Sequence, residues 1–471
     1  MGVEIVEGVK IVERLERFVL REIIMKIKNI LGNYPLCFAL AAMFVLNGYS
    51  KPKPAAEAKA DARKYLVFEL TNIRLRDTVC GYDEAVHHLV SELGTNHPSS
   101  DRMYAFGLNG MPLLTRSVAV LNDQVNLVFD IAEKHDVPVY FHIDPVYSIG
   151  MENCPVGEEP ALRFWEHPGM CEWVNFPAEG QTSGQIPRCW VNWGNWVKLS
   201  NAMPNYESPE LKRFYKSQLE DGVLKPIKER LSVLEQEGKG YLFAGLNIGW
   251  ETRFQDKSDL VGQAITNTAN ASEIMQEWEQ AKTGYAALHT KGWDDARLTR
   301  VAKERGVSND RLFYDLCAES VHDNMEMLAK IACEYGFSKS RIFSHIVAIE
   351  SCDEGSRSGT NVESPPVWTA LNDYCTPGFT LDKRGAAVYD LDEMRKVFKA
   401  RGHEFKYGAV ETYLFHYQTG AEYTAQRNEF FDNGTTLISV LGAVYAPYYA
   451  SHSPFEMNKD QAAAIRNWLN P

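Results

Sequence analysis

The chain is short of the motifs that announce cofactor chemistry. Its nine cysteines contain no CxxC pair and no zinc-like spacing, which leaves a structural metal or a thioredoxin-type centre without support. No GxGxxG and no P-loop follows an apolar run, so a dinucleotide or nucleotide fold lacks its phosphate cradle. There is no HExxH to hold a catalytic metal. Neither cofactor nor metal is therefore expected. Blocks of Lys and Arg are missing too, and a net charge of -13 with a pI near 5.5 argues against nucleic acid or an anionic membrane surface as partner. Short-period repeats are absent, and the one low-complexity tract is the Lys/Pro/Ala stretch at 51 to 62.

What is present is apolar and aromatic. Over 471 residues, 45% are hydrophobic and 11% aromatic, enough for a substantial core. From Met25 the sequence "MKIKNILGNYPLCFALAAMFVLNGYS" has a basic start and an apolar stretch through Leu46, the layout of a secretory signal over 25–50. Residues 1–24 then form an upstream extension or an amphipathic helix, and 51–63 a linker. The expected location is outside the cytoplasm: periplasm, cell surface or medium. "VLNGYS" has the outline of a lipoprotein box, with Tyr49 where the lipidated cysteine belongs, so membrane contact is expected only through such an anchor or an uncleaved signal. Export permits disulfides among the eight remaining cysteines, but their irregular spacing suits small buried residues at least in part.

From residue 64 onward, short β-rich runs alternate with segments of helical period. Strands are expected at 64–73, 102–108, 137–144, 240–251, 341–351, 366–372, 404–415 and from 435. Helices are expected at 83–94, 116–136, 209–236, 309–336, 391–402 and 459–469. Strands separated by helix-length segments make parallel βαβ units, and eight of them fit an α/β fold of the TIM or (β/α)8 barrel class with enlarged βα loops. The barrel then fills 64–471 as one domain, with insertions at about 145–205 and 252–305.

Functional residues of such a barrel sit at the C-terminal strand ends. These ends carry Asp144 after strand three, Glu251 after four, Glu350 after five and Glu411 after seven, with His142 and His416 nearby. Alternation places 411, 413 and 415 on one face. His142 is read as a sugar contact or a packed core histidine, and His345, deeper in strand five, as packing or hydrogen-bonding inside.

Glutamates after strands four and seven, in "NIGWET" and "GAVETY", resemble the clan of retaining (β/α)8-barrel glycoside hydrolases. That resemblance implies Glu251 as general acid/base, Glu411 as nucleophile, and hydrolysis of an oligo- or polysaccharide by double displacement. It also implies, loosely, a tyrosine at the nucleophile, for which Tyr374 in "NDYCTPG" is the candidate; Tyr413 and His416 are further candidates. The clan usually carries Asn directly before its acid/base, where this chain has Trp250 and its nearest Asn is Asn247. Retention requires carboxyls about 5 to 5.5 Å apart, one of them protonated, and an aromatic neighbour such as Trp250 raises a carboxyl's pKa by desolvation.

Two other readings stay open: an inverting hydrolase using Asp144 with Glu251 or Glu350, and a non-catalytic glycan-binding protein on the same scaffold. The segment "CWVNWGNWVKLSN" sets Trp190, Trp193 and Trp196 three apart, either one face of a helix or flat surfaces on which sugar rings stack.

Overall fold

In the computed structural model, residues 63–70, 79–146, 164–187, 189–193, 196–200, 202–256, 258, 264–265, 273–274, 282–347, 362–382, 389–414, 419–441 and 457–470 are described. The extension, the signal-like segment and the linker up to 62 lie outside them. So do Glu350 and His416.

Eight parallel strands run in chain order: β1 (Lys64–Glu69), β2 (Arg102–Pro112), β3 (Val139–Asp144), β4 (Phe243–Asn247), β5, β6 (Gly378–Leu381), β7 (Tyr407–Thr412) and β8 (Thr435–Leu441). The fifth has two pieces, Ile342–Phe343 and Ile346–Val347. Its first piece pairs with β4 and its second with β6, while β8 pairs with β1. The two pieces of the fifth strand thus stand at the two ends of the strand order, and through them the sheet closes into a (β/α)8 barrel. The sixth strand corrects the sequence reading. Residues 367–370 form a 3-10 turn, and the strand starts at Gly378; Pro365 and Pro366 deny the segment before it the backbone donors a central strand needs.

Alternation along each strand sorts the core. Leu66, Phe68, Phe106, Phe141, Leu246 and Ile438 face outward against the helices, whereas Tyr65, Val67, Met103, Tyr140, Phe343 and Leu437 fill the barrel's interior. Each such side chain contributes about 1.5–3 kcal/mol when fully buried. Helices α1 (Val79–Leu93) and α2 (Val118–His135) cover the first strands. Ser117 caps α2 by accepting from the Val120 N–H, and Asp136 ends it in the left-handed region. The expected helix at 209–236 is α3 (Pro209–Ser217) and α4 (Lys225–Gln236), joined by π-helical turns. Gly222 in those turns lets the backbone meet Leu121, whose Cδ1 lies 2.8 Å from where a Cβ would stand. The second insertion carries α5 (Tyr285–Thr290) and α6 (Asp295–Arg305) before α7 (Asn309–Glu334). Helices α8 (Leu391–Ala400), α9 (Gly420–Asp432) and α10 (Lys459–Leu469) complete the ring.

Among the described residues, Cys171, Cys317, Cys333 and Cys375 are unpaired thiols, three of them buried. The tryptophan segment forms two antiparallel strands, Cys189–Trp193 and Trp196–Ser200, with the backbone of Trp193 paired to that of Trp196. The helical alternative for it is excluded.

Candidate active site

Glu411 is the second-last residue of β7, opposite Thr380 of β6. Between residues 408 and 411, β7 carries one residue more than β6, a bulge that lets Val410 pack inside the barrel and still turns Glu411 inward. Its Oε1 accepts from the Tyr413 hydroxyl at 3.0 Å, and its Oε2 lies 3.9 Å from Nε2 of His345. Burial pushes the Glu411 carboxyl well above the usual carboxylate range, and the negative charges of Glu251 and Glu69 push it further. Tyr413 and the Arg253 charge oppose that rise.

Glu251 does not stand on the tip of β4, as expected, but four residues beyond it. The strand ends at Asn247, and the following loop is zipped to β5 by Ile248 N–H to Phe343 O at 2.9 Å and Thr252 N–H to His345 O at 3.1 Å. Glu251 takes φ +42, a left-handed conformation that costs a residue with a Cβ about 1–2 kcal/mol. The turn brings its Oε2 to 3.6 Å from the Arg253 guanidinium, and the Tyr206 hydroxyl holds the backbone of Arg253 at 2.9 Å.

Trp250 has a packing role that its sequence position did not show. Its ring packs on the imidazole of His142, with centroids 4.9 Å apart, and over Gly110.

Of the two readings of His142, the structure shows the packed core histidine. Its Nδ1 donates to both oxygens of Glu69, at 3.1 and 3.0 Å, and its Nε2 meets Nδ1 of His345 at 3.2 Å. Both nitrogens are engaged, and the ring is fully buried. His345 points inward as read, with Nε2 2.7 Å from Thr380 Oγ1. Asn247 also turns inward, with Nδ2 3.3 Å from His345 Nδ1. Asp144 closes a turn: its Oδ1 accepts from the Val146 N–H at 2.8 Å. Tyr374 precedes β6 instead of following it, which puts it at the N-terminal end of the barrel, with Lys330 Nζ 5.7 Å from its ring.

Sequence reasoning missed Glu69, Arg253, Thr380 and Ser439. Glu69 carried a signal: Tyr65, Val67 and Glu69 share one face of "KYLVFE", the inward one. Reading β1 as far as Ile73 placed that glutamate in mid-strand and hid it. Two tryptophans of the insertions are packed: Trp173 against His289 at 5.4 Å, and Trp293 beneath Arg297 at 4.2 Å. A cavity of about 740 Å³ between α9 and α10 includes neither Glu251 nor Glu411.

No protein-family model matches the chain, and no curated protein matches it in sequence. Among solved structures it is similar to a β-galactosidase from the psychrophilic Marinomonas ef1, at 9% identity and TM-score 0.43 over 86% of this chain and 59% of that one. A GH5-4 broad-specificity endoglucanase from an uncultured bacterium gives 8% identity and TM-score 0.39 over 90% and 98%. The pneumococcal virulence factor StrH gives 10% identity and TM-score 0.37 over 87% and 83%. The case for a function rests on the side chains at the barrel mouth.

Proposed function

We propose that the chain is an exported glycoside hydrolase that cleaves a glycosidic bond with Glu251 and Glu411 as its two carboxyls. The observation that carries this is their nearness: at the C-terminal mouth of a closed barrel, the charge of Glu251 raises Glu411, which is already buried. Two such carboxyls share a proton, and glycoside hydrolysis needs one acid and one carboxylate flanking the bond. The left-handed backbone at Glu251 is strain of the kind that clusters at active sites.

In the retaining scheme, Glu251 protonates the leaving oxygen and Glu411 attacks the anomeric carbon; Glu251 then deprotonates the water that releases the sugar. Tyr413 holds Glu411 Oε1 and Arg253 stands beside Glu251. The raised Glu411 favours one second reading, in which the roles are exchanged and Glu411 donates the proton. Asp144, committed to its turn, supports the inverting alternative less well.

A panel of chromogenic glycosides and polysaccharides finds the substrate, and NMR of the first-formed anomer distinguishes retention from inversion. With Glu411→Ala, azide rescue giving a glycosyl azide of inverted configuration marks Glu411 as nucleophile. The same product from Glu251→Ala instead marks exchanged roles. Binding of a glycan without turnover in any assay makes the protein a lectin on a barrel scaffold.

A further inference from the structure

Beneath the carboxyls runs a chain of polar groups that a two-carboxyl mechanism does not require. It crosses the barrel from Ser439 on β8 through Glu69 on β1, His142 on β3 and His345 on β5 to Thr380 on β6, and every member is buried. The layer below it is filled by apolar side chains, the ordinary content of such a barrel. A buried charge without partners costs several kcal/mol, so the pairing inside this layer is what makes it tolerable.

The protons on the chain can be assigned. Asn247 Oδ1 accepts from the Gly249 N–H at 3.0 Å, which fixes Nδ2 as the atom facing His345 Nδ1 and makes that ring nitrogen an acceptor. Burial, with the charges of His142 and Arg253 behind it, pulls His345 well below the usual histidine range and keeps it neutral. Its one proton is therefore on Nε2, facing Thr380 and Glu411. His142 donates from Nε2 to His345 and from Nδ1 to Glu69, whose Oε1 also accepts from the Ser439 hydroxyl. Protonated at both nitrogens, His142 is a cation on the Glu69 carboxylate.

We propose that one proton is shared between Glu411 and the Glu69–His142 pair, conducted by His345, so that Glu411 becomes a carboxylate without releasing a proton to solvent. With the proton stored, His142 is an imidazolium and Glu411 is ionised. In the return step the His345 Nε2–H bond breaks as Glu411 Oε2–H forms, and the His142 Nε2–H bond breaks as His345 Nδ1–H forms. Neutral His142, neutral Glu411 and the Glu69 carboxylate remain, and the net charge of the layer is the same in both states. The 3.9 Å gap between His345 and Glu411 closes to hydrogen-bond length with a shift of about 1 Å. His345 is thus a positioning residue, and Glu69 and His142 are the proton store. This rests on reading Glu411 as the nucleophile. The other groups facing the exchange are Glu251 and Arg253 from the loop after β4, Tyr413 after β7, Asp382 after β6 and Tyr140 on β3.

The test measures the imidazole nitrogen shifts of His345 and the carboxyl carbon titration of Glu411 by NMR, in the full chain and in Glu69→Gln. The pH profile of kcat/KM is recorded beside them, on the best glycoside of the panel. Both forms of His345 are expected in the wild type, Nε2–H with the proton stored and Nδ1–H with it on Glu411, in a ratio that Glu69 sets and that pH leaves alone while the shared proton stays in the layer. The Glu69 charge by itself raises Glu411, so if Glu69 acts only through that charge, Glu69→Gln lowers the Glu411 titration; loss of the proton store instead drives His345 to Nδ1–H and raises the Glu411 titration, by at least about one pH unit. The acidic limb of kcat/KM moves with it, and Glu69→Asp restores both. His142→Asn, the second variant should Glu69→Gln fail to fold, gives the same upward shift. A His345 tautomer that is the same in the wild type and Glu69→Gln, or a Glu411 titration that either variant leaves unmoved or shifts downward, overturns the relay even where turnover falls. If the NMR observations hold and no glycoside is cleaved, the relay stands and the hydrolase reading falls.

Discussion

The six-membered ring of Trp250 occupies the place a side chain at Gly110 would take: a Cβ there would lie 2.6 Å from Trp250 Cζ3. Gly110 has φ +75 and lies in a stretch where β2 carries one residue more than β3, a bulge that needs a glycine. Gly110→Ala adds left-handed strain and an overlap, together about 2–4 kcal/mol. Urea unfolding should show that loss, with a change in Trp fluorescence. Because Trp250 also backs His142, turnover should fall with it. An unchanged unfolding midpoint would show that the tryptophan is free to move away.

Glu172 ties the two insertions together. Its carboxylate, fully buried, accepts from the backbone N–H groups of Trp173, Gly284, Ala286 and Ala287 at 2.9 to 3.2 Å. Burial outweighs those bonds and pushes the carboxyl up to about 7. A folded-state value above the unfolded one means stability is fully present below the ordinary carboxylate range and lost as pH rises through about 7. The loss amounts to roughly 3 kcal/mol at most. Glu172→Gln cannot ionise, so unfolding free energy measured from pH 4 to pH 8 should fall less steeply in the variant. Parallel curves for the two proteins would count against this role.

How much of this was legible in the sequence follows from what sets each feature. Strand and helix order was readable because side-chain period reports burial directly, and seven of the eight barrel strands lie where period put them. The sixth was misplaced because four residues, "GFTL", give period too little to work with. Glu411 was placed at the barrel mouth because it lies one residue from a strand end. Glu251 was placed on the strand instead of in the loop beyond it, since a left-handed turn four residues past the strand leaves no periodic trace. The polar layer was least visible: Glu69, His142, His345 and Thr380 are far apart in sequence and meet only when the barrel closes.

Glu411→Gln separates stability from function. The wild-type carboxyl is raised by burial and by Glu251 and Glu69, so the stability its neutral form contributes is lost as pH rises from the ordinary carboxylate range through the raised value. A neutral amide escapes that loss. The variant should be about 1–2 kcal/mol more stable than wild type at pH 8, with little difference at pH 4. Its turnover should drop by about a thousandfold or more, as a lost nucleophile implies. A less stable variant at pH 8 would mean that Glu411 is a partner the barrel needs charged.

Glu251→Gly probes the same trade-off through the backbone. At φ +42 a glycine carries no Cβ penalty, so the substitution relieves about 1–2 kcal/mol of strain. Against this stand the greater chain entropy of an unfolded glycine and the lost contact with Arg253, each of smaller size. Unfolding at pH 7 should therefore show a protein as stable as wild type or slightly more so, while turnover of a glycoside with a poor leaving group collapses. An activated aryl glycoside, which needs less protonation, should lose less in the glycosylation step. Strain kept at a position whose removal spares the fold and abolishes the chemistry is strain retained for the chemistry. A Glu251→Gly protein that is markedly less stable, or equally impaired on both leaving groups, would instead make the left-handed glutamate a structural element of the loop that joins β4 to β5.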